Sequence, residues 1–588
     1  MAFGRYFFVI VAICIAQISA LALHPQAHAQ ESDEVTIFIA QKILTLDPGM
    51  PEATAVAVQN GRVAAIGALE DMKPWIDGFP FRIDPTFADK VLVPGFIAAH
   101  EHPMIAANTI TQRPLVAFYP TPNPFGPDIE GVPTKEAALA RLRDFAESDP
   151  DDTSTIFSWG YDVIAMGGHL TKDDLDTVST TRPVLVWDSS VHFAYSNSAF
   201  LEARDITAAD AETIGGIILG KDGTPNGQFM AVEAAAFALT PEISKSFANL
   251  DRSLGQVIAL NRQAGITTTT DLSFGVINRE AEEAAIPAFF NDPNIPMRIV
   301  IVADAETYAR DFPDDPVGAV KQLAGRNTDK VYFSGVKFFA DDAFLTLAMA
   351  LRPPGYIDPE LYGIWNTPPE RMVAVMLPWW EGGLRIHIHT NGDASQEAVI
   401  AALAEMQARY PRFDHRFVFE HFGLSTPEQI RKLKAFGAVA SVNPSYVHLR
   451  AELNAEYLGK DRAALASRLR TLVDSGVPTA IHSDLPVSPA DPLFLMWQAV
   501  NRFGQSGAVL GPDERVTPAQ ALRMVTIDAA YVLGMDDKIG SISIGKFADF
   551  TVLEQDPLGV PPEAIRDVPV WGTVVSGEKF PAPPKQMP

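Results

Sequence analysis

Val91-Leu92-Val93-Pro94-Gly95-Phe96-Ile97-Ala98-Ala99-His100-Glu101-His102 is an apolar run that stops on two histidines spaced two apart. Residues two apart in an extended chain face the same way, so both imidazoles project together from a strand end. Seven more short runs that read as buried strands follow, at 266–271, 298–303, 335–340, 384–389, 416–421, 438–443 and 477–484. Helical patterns separate most of them, as at 396–409 and at 427–436, the latter with Ser425 or Thr426 as its cap. Apolar runs alternating with helices are what strands buried on both faces of a parallel sheet require. Eight of them predict an α/β fold of the (β/α)8 TIM-barrel type.

Outward from these runs the chain changes character. The stretch 103–253 is too long for one connection and carries its own strand-like Val184-Leu185-Val186-Trp187, so it reads as a lobe inserted over the barrel mouth. Short β-rich runs occupy 35–67, with the hairpin signal Asn60-Gly61, and a matching block closes the chain at 548–575. Two such blocks at opposite ends predict one small β-sandwich built from both termini. The expected division is 1–29 signal peptide, 30–93 first part of the sandwich, 94–537 barrel with its insertion, and 538–588 second part and a Pro-rich tail.

Arg5, the apolar run that begins at Tyr6, and Ala27-His28-Ala29 have the three parts of a secretory signal, which predicts a mature chain beginning at Gln30. The apolar run is too short to span a bilayer. Cleavage removes Cys14, the one cysteine, and a cysteine-free chain suits a periplasmic or secreted location. The 588 residues are 47% hydrophobic and 20% charged, a globular composition with room for a large core. A net charge of -26 repels phosphate backbones and anionic lipid, so the expected partner is a small molecule, with no nucleic acid and no membrane after signal removal. Homo-oligomerisation stays open. One cysteine excludes Cys-rich zinc and iron-sulfur sites, so any metal must use histidine and carboxylate.

Histidine and carboxylate are what the run ends supply. His389 ends 384–389, His421 ends 416–421 and Asp484 ends 477–484, and in a barrel these ends converge with His100 and His102 at the catalytic mouth. Four histidines and one aspartate there are ligand types suited to Zn, Mn or Fe. His387 and His482 lie two residues before His389 and Asp484, share their faces, and are expected to be core or supporting residues.

These stretches, with Gly335-Val336-Lys337-Phe338-Phe339-Ala340-Asp341, His389-Thr390-Asn391-Gly392-Asp393, Ser483-Asp484-Leu485-Pro486 and the closing Gly540-Ser541-Ile542-Ser543-Ile544-Gly545, resemble the YtcJ-like branch of the type 3 amidohydrolases. The resemblance covers about 35–577. It implies metal ligation by His100, His102, Lys337, His389, His421 and Asp484, with Lys337 carboxylated and bridging two divalent ions, Zn before Mn or Fe. A free ammonium cannot ligate, whereas a carbamate can bridge two cations; the alternative for Lys337 is a salt bridge near Asp341 and Asp342. Ala98, Ala99 and Asn391 depart from the family's common wording without removing a ligand. His192 resembles a segment of the family's inserted lobe, and Tyr446 and His448 follow the seventh run; substrate contact and packing are both open for these three.

The expected activity is metal-dependent hydrolysis of an amide or N-acyl carbon-nitrogen bond, with Asp484 as proton shuttle. The rivals are an ester or lactone hydrolase, a deaminase, and a non-catalytic binding protein on the same scaffold. Deamination is less favoured because the loop after His389 offers Asp393 where such enzymes place a glutamate.

Overall fold

The computed structural model describes residues 34–111, 114–246 and 249–584. The expected signal, its cleavage site and the start at Gln30 lie outside the described residues.

Eight parallel strands form one sheet in strict chain order: Phe96–Ile97, Ile266–Phe274, Arg298–Asp304, Val331–Phe339, Arg385–Thr390, Val418–His421, Val439–Val442 and Thr479–Ile481. The third, Arg298–Asp304, is buried along its whole length, as a strand covered on both faces must be. The sheet curls until its two edges meet at the carboxyl end. There Asp484 N–H donates to His100 O at 3.1 Å and His102 N–H donates to Leu485 O at 3.0 Å. The connecting helices start and stop where their sequences say. Pro427–Phe436 opens on a capping box between Thr426 and Gln429 and ends on Gly437, whose φ of 72° is left-handed.

The first strand departs from expectation. The run 91–99 serves two sheets, because Phe81–Pro94 belongs to the sheet of the termini and Phe96–Ile97 alone opens the curled sheet. The chain crosses between them at Gly95, where a Cβ would lie 2.1 Å from Thr267 Oγ1, so the crossing is too tight for any side chain. The eighth strand is also shorter than its run, since Thr479–Ile481 gives way to an irregular segment before Asp484.

Strands from both ends join in one seven-stranded order: Glu578–Pro581, Val570–Val575, Phe550–Leu553, Phe81–Pro94, Val35–Leu44, Glu52–Gln59 and Arg62–Gly67. The hairpin at Asn60-Gly61 forms with φ of 51° and 73°, both central residues being left-handed as its tight turn demands. A buried ion pair fastens this sheet to the curled one: Arg298 Nε donates to Asp549 Oδ2 at 2.6 Å and Nη2 to Oδ1 at 2.9 Å. Within the stretch 103–253 a separate five-stranded sheet, Ile156–Tyr161, Val184–Asp188, Phe193–Ser196, Pro225–Met230 and Ile217–Leu219, packs around its own core of Leu142, Tyr161, Val186 and Phe193.

Candidate metal centre

The carboxyl ends of the first, fourth, fifth, sixth and eighth strands bring the expected residues to one end of the sheet. His100 Nε2 lies 3.3 Å from His102 Nε2 and 3.5 Å from both Lys337 Nζ and Asp484 Oδ1. His102 Nε2 is 3.4 Å from Asp484 Oδ1, and His421 Nδ1 is 3.6 Å from Asp484 Oδ2. The rings of His389 and His421 stand 4.4 Å apart between centroids, those of His100 and His421 4.6 Å. His421 and Asp484 reach this cluster from left-handed backbone, at φ of 67° and 60°, a conformation that costs non-glycine residues energy and gathers at functional sites.

Several ring nitrogens of these histidines lack the partners that burial demands. His102 Nδ1, His421 Nδ1 and both ring nitrogens of His482 are buried with no hydrogen bond. His100, His421 and His482 offer ligand atoms within 4.8 Å of one another, and so do His100, His102 and Asp484. Buried polar atoms are ordinarily satisfied. A cation would satisfy lone pairs that no donor reaches, so the residues fit a divalent metal. Their ionisation fits it as well. Burial and the nearby Lys337 charge push His100 down to about 3, and burial pushes His482 down to about 4, leaving neutral imidazoles able to ligate. Burial would raise the carboxyl of Asp484, but His100, His102 and His482, which would take up protons before it does, hold it well below the usual range, so it stays ionised beside the neutral rings.

Lys337, almost fully buried, is lowered by that burial to about 8. Asp341 and Asp342 are taken up elsewhere. Asp341 accepts backbone N–H groups from Ala350, Asn391 and Gly392, and Asp342 Oδ1 lies 3.1 Å from His192 Nδ1. The strand register instead places Lys337 opposite His387.

Two supporting residues escaped the reading of the runs, or were undervalued by it. Glu420, fully buried, accepts Nδ1–H from His100 and from His387, each at 2.7 Å, which leaves His100 Nε2 bare toward the cluster. The signal was an acidic residue inside the apolar run 416–421. His482 stacks on His100 at 4.6 Å and 19°, close enough to be a ligand and not only a core residue.

The substrate candidates divide. Burial opposes protonation of His192, but the Asp342 carboxylate outweighs it and raises the pKa; the ring sits 5.1 Å from that of His389, so the inserted stretch reaches the cluster. Tyr446 is buried and stacked on Phe344 at 4.2 Å, and burial with the Asp484 charge suppresses its ionisation. His448 turns elsewhere: Nδ1 bonds Phe503 O at 2.7 Å, Nε2 faces the Gln505 amide at 3.0 Å, and the ring abuts Trp497. His389 Nε2 lies 3.0 Å from Asn391 Nδ2 and 3.3 Å from Asp342 O.

A histidine and carboxylate cluster with a buried lysine, at the carboxyl end of a curled parallel sheet, defines a metal-dependent hydrolase in class. The chain belongs to the metal-dependent amidohydrolase superfamily, in its type 3 branch: the Amidohydrolase family profile matches residues 88–579. It is 25% identical over 540 residues to the putative amidohydrolase YtcJ of Bacillus subtilis (strain 168), covering 89% of this chain and 95% of that one. It is likewise 25% identical over 562 residues to the N-substituted formamide deformylase of Arthrobacter pascens, covering 92% and 97%. An uncharacterized metal-dependent hydrolase from Pyrococcus horikoshii OT3 shares the fold, with a TM-score of 0.66 at 19% identity over 90% of this chain and 99% of that one.

Proposed function

We propose that the protein is an exported hydrolase that cleaves the carbon-nitrogen bond of an amide or N-acyl compound. The observation that supports this reading is the cluster of buried histidines, several of their ring nitrogens unpaired, around an ionised Asp484 and a pKa-lowered Lys337. In this reading the curled sheet is a closed (β/α)8 barrel, the stretch 103–253 covers its mouth, and the strands of both termini form the attached β-sandwich, with boundaries at 93/94 and 537/538. The signal sequence and the absence of cysteine after it suit a periplasmic or secreted enzyme that meets only a small-molecule substrate.

His100, His102, Lys337, His389, His421 and Asp484 would hold two Zn ions, Mn or Fe being the alternatives. A lysine lowered to about 8 is partly the free amine near neutrality, and the free amine is the form that adds carbon dioxide to become a bridging carbamate. Bound there, the ions would supply Lewis acidity, polarising a carbonyl and lowering the pKa of water. Asp484 takes the proton of that water and returns it to the leaving nitrogen, serving as base and then acid. His192 and Tyr446 contact substrate from the inserted stretch and from the loop after the seventh strand, and His448 lines the approach.

The relative that carries the name N-substituted formamide deformylase supports a carbon-nitrogen bond as the target. Against deamination, Asp393 is engaged by the Arg352 N–H at 2.9 Å and by Arg462. The test is the metal content of the purified protein together with a panel of N-acyl amino acids, formamides, aryl amides, esters and lactones. Metal-dependent amine release is expected; turnover confined to esters or lactones refutes the carbon-nitrogen reading.

A further inference from the structure

A cavity of about 990 Å³ begins at the residues that follow Asp484. Its wall includes Leu485 and Pro486, and Leu485 O holds the His102 N–H, so the cavity comes to the segment that carries Asp484, while the six candidate ligands lie outside its lining. Its size is at the upper end of the range for small-molecule sites. Phe118 and Trp159 from the inserted stretch, Val487 and Phe494 from the segment after the eighth strand, and Trp571 from the sheet of the termini make the lining predominantly apolar.

The charges in this wall are already matched. Among the described lining residues the one guanidinium is Arg450, buried and ion-paired through Nη1 with Asp162 Oδ2, while Asp162 Oδ1 also accepts the N–H groups of Ile164 and Ala165. His448 is held in a neutral arrangement, Nδ1–H to Phe503 O and Nε2 toward the Gln505 amide. The acidic lining residues besides Asp162 are Asp491, which caps the helix Pro492–Asn501, and Glu554, paired with Lys90 at 2.8 Å. A carboxylate entering here would shed its hydration and meet no unpaired cation among the described residues, and desolvating an uncompensated charge is costly. The net charge of -26 adds repulsion at longer range.

Resting on the hydrolase reading above, we infer that the substrate is an uncharged amide whose larger part is an apolar aryl or branched alkyl group seated in this cavity, and that amides bearing a carboxylate are rejected. The test compares three compounds of one skeleton with the metal-loaded enzyme: N-acetylphenethylamine, N-acetylphenylalanine amide and N-acetylphenylalanine. The first two should be cleaved at the acetyl group with kcat/KM at least ~100-fold above the third, the order set by a desolvated unpaired charge. Val487→Arg, which adds a guanidinium to the wall, should narrow that ratio at least ~10-fold. A carboxylate compound cleaved as well as its neutral partners overturns the inference and leaves the hydrolase reading intact. A metal-loaded protein that cleaves none of the three, nor any other amide, overturns that reading and the inference with it.

Discussion

Glu420→Gln tests whether the cluster is tuned from beneath. The carboxylate accepts two Nδ1–H bonds at 2.7 Å, from His100 and His387, in a site fully closed to solvent. A carboxylate can accept both; an amide of the same shape has one acceptor and one donor end. Whichever way the amide turns, one imidazole must move its proton to Nε2 or lose its bond. If His100 moves it, the nitrogen facing the metal is blocked. If His387 moves it, His100 still loses the anionic partner that strengthens it as a ligand. Hydrogen bonds to charged groups contribute about 1.5–3 kcal/mol, and substitution of such outer partners weakens metal affinity about 10- to 100-fold. The expected result is therefore a loss of that order in Zn affinity, measured by chelator competition, alongside a lower unfolding midpoint of the metal-free variant, since a buried charge-assisted hydrogen bond is weakened there too. A Gln variant that competes for Zn as well as wild type refutes the argument that Glu420 fixes the His100 tautomer.

The other predictions concern chemistry and stability. Asp484→Asn should keep its fold and at least one bound cation but lose about 10²- to 10⁴-fold in kcat; near-normal turnover would point to His192 as the next residue to test. Lys337→Ala should lose metal and activity together, and native mass measured in bicarbonate should show the added carboxyl group on wild type; two metals and normal turnover in the variant would leave Lys337 a simple buried lysine. Burial would raise the carboxyl of Asp84, but Lys579 Nζ at 2.6 Å and Thr86 hold it down to about 2. A folded-state pKa below the ordinary value stabilises above that value and loses its effect as pH falls through the lowered one. Lys579→Ala should accordingly cost roughly 1 kcal/mol above pH ~5, with a third of the lysine exposed to screening, and the difference in unfolding midpoint should shrink as pH falls from ~4 toward ~2; a difference unchanged over that range would remove the ion pair as its cause.

The candidate ligands were legible because they fall at the carboxyl ends of strand runs: His389 and His421 stand at or next to the last residue of Arg385–Thr390 and Val418–His421, while polar residues inside a buried strand, such as the four threonines of Ile266–Phe274, carry no such signal. What stayed hidden follows from places where the backbone leaves the regular pattern. Alternation along a strand sends Glu420 and His421 to opposite faces, yet both reach the cluster, because His421 turns to a φ of 67°. The apolar run at 91–99 gives no sign of changing sheets, since a residue buried in either sheet has the same polarity, and Gly95 alone marks the crossing. The pairing of His192 with Asp342 joins the inserted stretch to the segment after the fourth strand, and no periodicity spans that separation. His482 was visible as a neighbour on the face of Asp484, but its stacking on His100 depends on how far the sheet curls, which is set by the meeting of the first and eighth strands through Asp484 N–H and His102 N–H. The same two hydrogen bonds that bring the sheet edges together therefore also bring the first-strand histidines to the eighth-strand carboxylate, so loosening that seam should disperse the metal cluster before it disturbs the core.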